Sequence, residues 1–230
     1  MYFFLKQNNL RISYIYMTSL SSDIKVIFVR HAESQSNALW TLTDIDPWIF
    51  DPLLSEKGSQ QALQLRNNNR FFVPQLIVSS PLKRALLTAG IVFGGIETPC
   101  HWVVHPLVTE QVSEADDIGS LKRDLIAEFP DWDWSLVPDD FWWYIPHEYQ
   151  QASQKLVDHQ SVFRSHSWEE SSDNLNIRIS QFLNWLRDQP FERVIVFTHG
   201  DYIDEIAGED VETVNCGFLL RTYSRHQSDE

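Results

Sequence analysis

Two short β-branched and aromatic runs, Val26-Ile27-Phe28-Val29 and Val194-Ile195-Val196-Phe197, each lead into a histidine, in Arg30-His31-Ala32-Glu33 and in Thr198-His199-Gly200. Continuous apolar runs of this length have the pattern of strands buried on both faces, and such strands belong to parallel sheets covered by helices. In open α/β sheets the carboxyl ends of the strands border the crevice that binds ligands. The two histidines therefore converge on one crevice, the first with an arginine beside it. A third segment, Ile77-Val78-Ser79-Ser80-Pro81-Leu82-Lys83-Arg84-Ala85, again reads as strand, turn, arginine and helix. Arginines and histidines gathered at one site bind anions, and the guanidinium fork suits phosphate.

The remaining pattern extends this frame. Strands are expected at residues 25–30, 76–79, 102–104 and 194–198, with a last strand at 213–220. Helices are expected at residues 34–42 and 172–188. Another is capped by Ser55, with Ala62, Leu63 and Leu65 as candidates for its buried face. A further helix has Pro81 at its first turn, where proline fits, and presents Leu82, Ala85, Leu86, Ala89 and Val92 on one face. Strands alternating with helices predict an α/β fold, a three-layer α/β/α sandwich around a mostly parallel central sheet. Residues 117–168 break the rhythm. They hold Trp132, Trp134, Trp142, Trp143 and Trp168 with Pro130, Pro138 and Pro146, and are expected to form a Trp-rich cap over the mouth of the site. The expected organisation is an N-terminal extension at 1–22, one catalytic domain at 23–220 carrying this insertion, and a C-terminal tail at 221–230. Met17 precedes the first strand by a few residues and is expected to be the true start, or residues 1–16 a poorly ordered extension.

Composition excludes several classes. The formal net charge of −14 argues against nucleic-acid binding, which needs a basic face. In so acidic a chain, a cluster of Arg30, Arg84 and two histidines is the more telling. No apolar run approaches the length of a membrane-spanning helix, so no membrane association is expected. Cys100 and Cys216 are the only cysteines and do not make a disulfide framework, which favours a reducing, cytoplasmic setting. His101 and His105 lie four residues apart but in a predicted strand, and Cys100-His101 has no second ligand pair at metal-site spacing; neither a metal nor another cofactor is expected.

The segments Arg30-His31-Ala32-Glu33-Ser34 with Asn37, Leu54-Ser55-Glu56-Lys57-Gly58, Ser79-Ser80-Pro81-Leu82-Lys83-Arg84-Ala85, Pro106-Leu107-Val108-Thr109-Glu110 and Thr198-His199-Gly200 together resemble, in order, the histidine phosphatase superfamily, which includes the cofactor-dependent phosphoglycerate mutases. One departure is Ala32, where the family usually has glycine; it is tolerable unless that residue needs positive φ. The resemblance implies that His31 is the nucleophile and Glu110 the general acid and base, with Glu114, Asp116 and Asp117 as nearby competitors. It further implies that Arg30, Asn37, Arg84 and His199 bind the phosphoryl group, with His199 also catalytic and contributing a charge-assisted bond if protonated. Glu33 is expected to orient the loop. The segment after Glu110 lacks the arginine-, tyrosine- and glycine-rich motif of the mutases and looks instead like the mutase-like phosphatases of fungi, plants and protists. The resemblance thus implies a phosphomonoesterase acting on a small phosphorylated substrate through a phosphohistidine. The alternatives are a mutase-type phosphotransferase and a non-catalytic phosphate-recognition module. The acidic turn from Glu114 to Asp117 would repel a highly anionic substrate.

Overall fold

The computed structural model describes residues 23–68, 71–95, 100–138, 141–150, 156–208 and 213–225. The expected N-terminal extension, the start at Met17 and residues 226–230 of the tail lie outside them. In chain order the elements are β1 (Asp23–Arg30), α1 (Gln35–Thr43), α2 (Glu56–Asn68), β2 (Leu76–Ser79), α3 (Lys83–Phe93) and β3 (His101–Val104). After 3-10 turns at Pro106–Val108 and Ala115–Asp117 come α4 (Lys122–Glu128), α5 (His147–Gln150), α6 (Leu156–His166), α7 (Ser172–Arg187), β4 (Arg193–Thr198), α8 (Gly200–Ala207) and β5 (Phe218–Ser224).

The sheet has the order β3-β2-β4-β1-β5, parallel throughout except for β5, which pairs antiparallel to β1 at the edge. Because side chains alternate along a strand, each central strand feeds two cores. Ile24, Val26 and Phe28 of β1, Leu76 and Val78 of β2, and Val194 and Val196 of β4 face Leu175, Ile179, Phe182 and Leu186 of α7 and Tyr202 and Ile203 of α8. Ile27, Val29, Ile77, Ile195 and Phe197 face the other way, onto Ala62 and Leu65 of α2 and Ala85, Ala89, Val92 and Phe93 of α3. This is the three-layer sandwich that the apolar runs predict. Each fully buried side chain of this kind contributes about 1.5–3 kcal/mol.

The insertion builds a third hydrophobic core. Its Trp134, Trp142, Trp143 and Trp168 are buried with Ile118, Leu125 and Phe163 against Leu82 just before α3, Leu86 of α3 and Val104 of β3. Its backbone also extends the β3 edge: Asp133 N–H donates to Trp102 O at 2.9 Å and Val104 N–H to Asp133 O at 2.9 Å. Asp51 ties the layer to α3, since its buried carboxylate accepts from Lys83 N at 2.8 Å and Ser120 N at 3.0 Å.

Two local expectations are corrected. Leu63 is 40% exposed, whereas Ala62 and Leu65 are buried; at 3.6 residues per turn, position 63 lies about 100° around the helix from 62 and off the inward face. The last strand starts at Phe218 instead of Thr213 and continues to Ser224, past residue 220 where a tail was expected to begin. Residues 214–217 form a turn instead, with Cys216 at φ 60° and Gly217 N–H donating to Val214 O at 2.7 Å.

Gly58 shows how closely α2 approaches the loop that follows β1. A Cβ added there would lie 2.0 Å from the backbone oxygen of Glu33. Gly58→Ala is expected to cost about 1–3 kcal/mol, the usual range for overpacking, read as a lower melting temperature; an unchanged melt would contradict this packing.

Candidate active site

Strand register brings the site residues to one level. Arg30 pairs with Thr198, and Ser79 with Phe197. Immediately beyond the strands, His31 N–H donates to Thr198 O at 2.9 Å and Ser80 N–H to Phe197 O at 3.0 Å. His31, Ser80 and His199 therefore leave the sheet side by side, and the His31 and His199 ring centroids are 5.1 Å apart. The cleft above them has a volume of about 360 Å³ and is lined by Arg30, His31, Asn37, Trp40, Asp46, Arg84, Glu110, Glu114, Asp116, Asp117 and Asp201 among others. Of the insertion, only Asp117 lines it among the described residues. The tryptophans lie in the core instead of over the mouth, because their rings complete the apolar layer on α3 and β3.

His31 is 2% exposed. Its Nδ1 lies 2.7 Å from Ala32 O, a contact that only an N–H makes favourably, so Nδ1 carries the proton and Nε2 the lone pair. Arg84 Nε donates to that Nε2 at 3.2 Å. Burial first, then the charges of Arg84 and Arg30, keep the ring neutral, well below the usual histidine range, against the opposing bond to Ala32. Ala32 has negative φ and is fully buried, so alanine serves in place of the usual glycine without strain. Its N–H donates to Thr88 Oγ1 on α3 at 3.0 Å. Glu33 holds the loop to α2, accepting from Ser55 Oγ at 2.7 Å and Lys57 Nζ at 2.5 Å. Burial raises its carboxyl, but these donors outweigh burial and leave it lowered. Its role is structural.

Arg84 uses its whole guanidinium. Besides His31, Nη1 donates to the Asp116 carbonyl and Nη2 to Asp117 Oδ1 at 2.8 Å. Arg30 donates through Nη1 to the Thr213 carbonyl, and its guanidinium lies against Gly200, where a Cβ would come within 3.2 Å of Arg30 Cζ. Its Nε is buried and has no partner among the described residues. The same holds for His199 Nδ1. His199 Nε2 is 2.8 Å from Ser80 Oγ, which also accepts from Leu82 N at 3.2 Å; with the hydroxyl hydrogen directed to Nε2, the ring proton sits on Nδ1. Burial, then Arg84, His31 and Arg30, lower the His199 pKa well below the usual range. Of the two states the sequence left open, these surroundings favour the neutral ring, so His199 donates as a neutral N–H. Asn37 lines the cleft, and its Oδ1 accepts from Ser34 N at 3.2 Å and Asn215 Nδ2 at 3.5 Å, which leaves its NH₂ as the group for a ligand.

Glu110 follows the turn at Pro106–Val108. Arg178 pins this loop, donating to the carbonyls of Leu107, Thr109 and Glu110 at 3.0, 3.2 and 3.2 Å while gripping Glu170 at 2.8 and 2.7 Å. Burial, then the carboxylates of Asp201 and Asp117, raise the Glu110 carboxyl to about 8 against the pull of Arg84. Glu110 thus holds a proton at neutral pH. Of its competitors, Asp117 is committed to Arg84. Glu114 lies at the mouth beside Asp46, where burial and then that carboxylate raise it to about 7. His105 is buried between Phe182 and Trp185 and accepts from Leu107 N at 3.2 Å, so it shapes the loop before Glu110. Sequence reasoning missed Ser80, Asp51, Arg178 with Glu170, and Asn215. Only Ser80 carried a signal, through its place in the Ser79-Ser80-Pro81 block.

Residues 26–132 match the family described as histidine phosphatase superfamily (branch 1). A probable phosphatase of Schizosaccharomyces pombe is 33% identical over 132 residues, 54% of this chain and 58% of the relative. Phosphoserine phosphatase 1 of Hydrogenobacter thermophilus is 32% identical over 146 residues, 58% of each chain. The matched region thus spans little more than half of these relatives. The fold is shared with the alpha-ribazole phosphatase of Shigella flexneri, at TM-score 0.51 and 17% identity over 86% of this chain and 89% of that one.

Two buried donors, Arg30 Nε and His199 Nδ1, flank the His31 ring, and a buried donor without an acceptor costs about 1–3 kcal/mol. An oxyanion satisfies both. Inorganic phosphate is expected to raise the melting temperature of the wild type, and His199→Ala to weaken phosphate binding by about tenfold or more in calorimetry. Equal affinity in the variant would remove His199 from the site.

Proposed function

We propose that this chain, a member of the histidine phosphatase superfamily, is a phosphomonoesterase that hydrolyses a small phosphorylated substrate through a phosphohistidine on His31. The observation that carries this reading is the state of His31: a neutral ring whose Nδ1–H donates to the Ala32 carbonyl, with Nε2 turned toward Arg84. A neutral imidazole nitrogen is a nucleophile, and this ring can present only one.

In the first step Nε2 attacks phosphorus, the N–P bond forms and the ester P–O bond breaks. Glu110 gives its proton to the departing alcohol oxygen. Arg84 and Arg30 spread their charge over the equatorial phosphoryl oxygens, His199 Nδ1–H and the Asn37 amide add donors, and the Arg84 Nε–H passes from His31 to an oxygen. In the second step water attacks the phosphohistidine, the N–P bond breaks, Glu110 takes the water proton, and inorganic phosphate leaves. Arginines supply the positive charge throughout.

Para-nitrophenyl phosphate is expected to be hydrolysed at a rate unchanged by chelator, with His31→Ala inactive while still folded, and His199→Ala reduced by about 10². For an alkyl monoester, which needs the acid, kcat/KM is expected to fall as pH rises through about 8, where Glu110 loses its proton, and this limb disappears in Glu110→Gln. Hydrolysis that persists in His31→Ala would overturn the reading.

The outer cleft bears on the substrate. Asp46, Glu114, Asp116 and Asp201 line it and disfavour a net negative charge on the part of the substrate beyond the phosphoryl group. The remainder of the substrate is thus neutral or cationic; the name of the Hydrogenobacter relative, a phosphoserine phosphatase, agrees with such a substrate. Phosphoserine or a neutral monoester is expected to give a higher kcat/KM than a sugar bisphosphate, and the reverse order would contradict this assignment.

A further inference from the structure

We propose that Asp117 is a positioning residue for this reaction: through Arg84 it fixes the donor geometry at His31, and it keeps a negative charge beside Glu110. The inference rests on the phosphomonoesterase reading and adds a residue outside the set that touches phosphate or carries its protons.

Asp117 closes the turn at Ala115–Asp117 and its side chain is 4% exposed. Oδ1 accepts from Arg84 Nη2 at 2.8 Å. Oδ2 accepts from Ser113 N at 3.0 Å and Glu114 N at 3.1 Å. Every hydrogen bond comes from a donor, so this geometry serves the ionised form, with Arg84 and the two N–H groups working against burial and then the Asp116 carboxylate, which raise the Asp117 carboxyl to about 7. The preceding carbonyl, of Asp116, takes Arg84 Nη1, so one turn grips both terminal nitrogens of the guanidinium. A guanidinium is planar and rigid; once Nη1 and Nη2 are fixed, the direction of Nε toward His31 Nε2 is fixed too. The turn is itself anchored, with Ala115 and Ile118 in the core of the insertion and Glu170 N–H donating to Val112 O at 2.7 Å.

The charge matters as well as the position. Arg84 of α3, Asp117 of this turn and Asp201 of α8 act on Glu110. Arg178 of α7 donates to the Glu110 carbonyl, while Gln111 N and Tyr202 N donate to its Oε1 at 3.1 and 3.3 Å. Arg84 and the two N–H donors draw the proton away from Glu110. After burial, Asp201, at the start of α8, raises Glu110 most and Asp117 next; Asp117 is the buried one of the two, where a charge acts at lower dielectric. Asp117 and Asp201 together are thus the counterweight that lets a strongly cationic arginine and a protonated acid share one cleft.

The test measures kcat, KM and pH profiles for wild type, Asp117→Asn, Asp117→Glu, Arg84→Lys and the two double variants, with para-nitrophenyl phosphate and with phosphoserine. Asp117→Asn is expected to lower kcat by about 10², as a small misplacement of a catalytic group does, and to move the basic limb with phosphoserine down by roughly one pH unit. Asp117→Glu keeps the charge but not the reach, so kcat falls while the limb stays. In the Arg84→Lys background either substitution is expected to cost less than about threefold, because the group through which Asp117 acts is already lost. Should Asp117→Asn not fold in thermal melts, the Glu variant in the two Arg84 backgrounds still reads the coupling. Losses that add in the Arg84→Lys background, or a limb unmoved in folded Asp117→Asn, overturn the inference alone. A wild type with no His31-dependent hydrolysis overturns the functional reading and this inference with it.

Discussion

The hydrogen bond from His31 Nδ1 to the Ala32 carbonyl, 2.7 Å long, decides which nitrogen of the ring does the chemistry, and the elements around it hold that carbonyl in place. Ala32 N–H is fixed to Thr88 Oγ1, and Thr88 in turn donates to Arg84 O at 2.6 Å within α3. Glu33 N–H donates to Gln61 on α2 at 2.9 Å, and the His31 carbonyl accepts from Asn215 at 3.2 Å. The tetrapeptide after β1 is thereby joined to α2, α3 and the loop before β5. A small error in any of these joints would turn the ring. The strand end supplies the location, but the surrounding helices supply the tautomer.

Electrostatics divides the groups of the cleft by what each must carry. Burial and neighbouring arginines keep His31 and His199 neutral, as a nucleophile and a neutral donor require. Burial and neighbouring carboxylates push Glu110 the other way, to about 8, so that a carboxylic acid survives at neutral pH. Pairs of groups driven apart by their surroundings are how acid and base roles are assigned in one site. In a chain of net charge −14, the surplus acid is not incidental to the cleft: Asp117 offsets Arg84, and the outer carboxylates shape what can enter.

Much of this was legible in the sequence, for physical reasons that can be named. Val26 to Val29 and Val194 to Phe197 are apolar on both faces, which fits only a covered sheet, and the histidines that end them had to share its crevice. Arg84 followed from a strand-turn-helix pattern. The insertion was less legible, because five tryptophans report burial without saying against what; they pack on Leu82, Leu86 and Val104 instead of lining the cleft. The end of the chain was misjudged at Leu220 because β5 is an edge strand whose alternate residues face solvent, a weak signal beside the turn at Cys216. Arg178 and Ser80 act through long-range hydrogen bonds to carbonyls and a ring nitrogen, and nothing local in a sequence marks those. The protonation of His199 stayed open for the same reason: it depends on how many cations share its burial.

The central claim is that phosphorus is transferred to His31. The most direct measurement uses Glu110→Gln with labelled para-nitrophenyl phosphate, whose leaving group departs without a proton, so that the first step proceeds while the second lacks its base. Rapid mixing followed by alkaline quench and peptide mapping should show a burst of nitrophenolate close to one per active site, with acid-labile label on the peptide containing His31. Slow turnover with no burst and no labelled protein, or label on any other residue, would contradict the account.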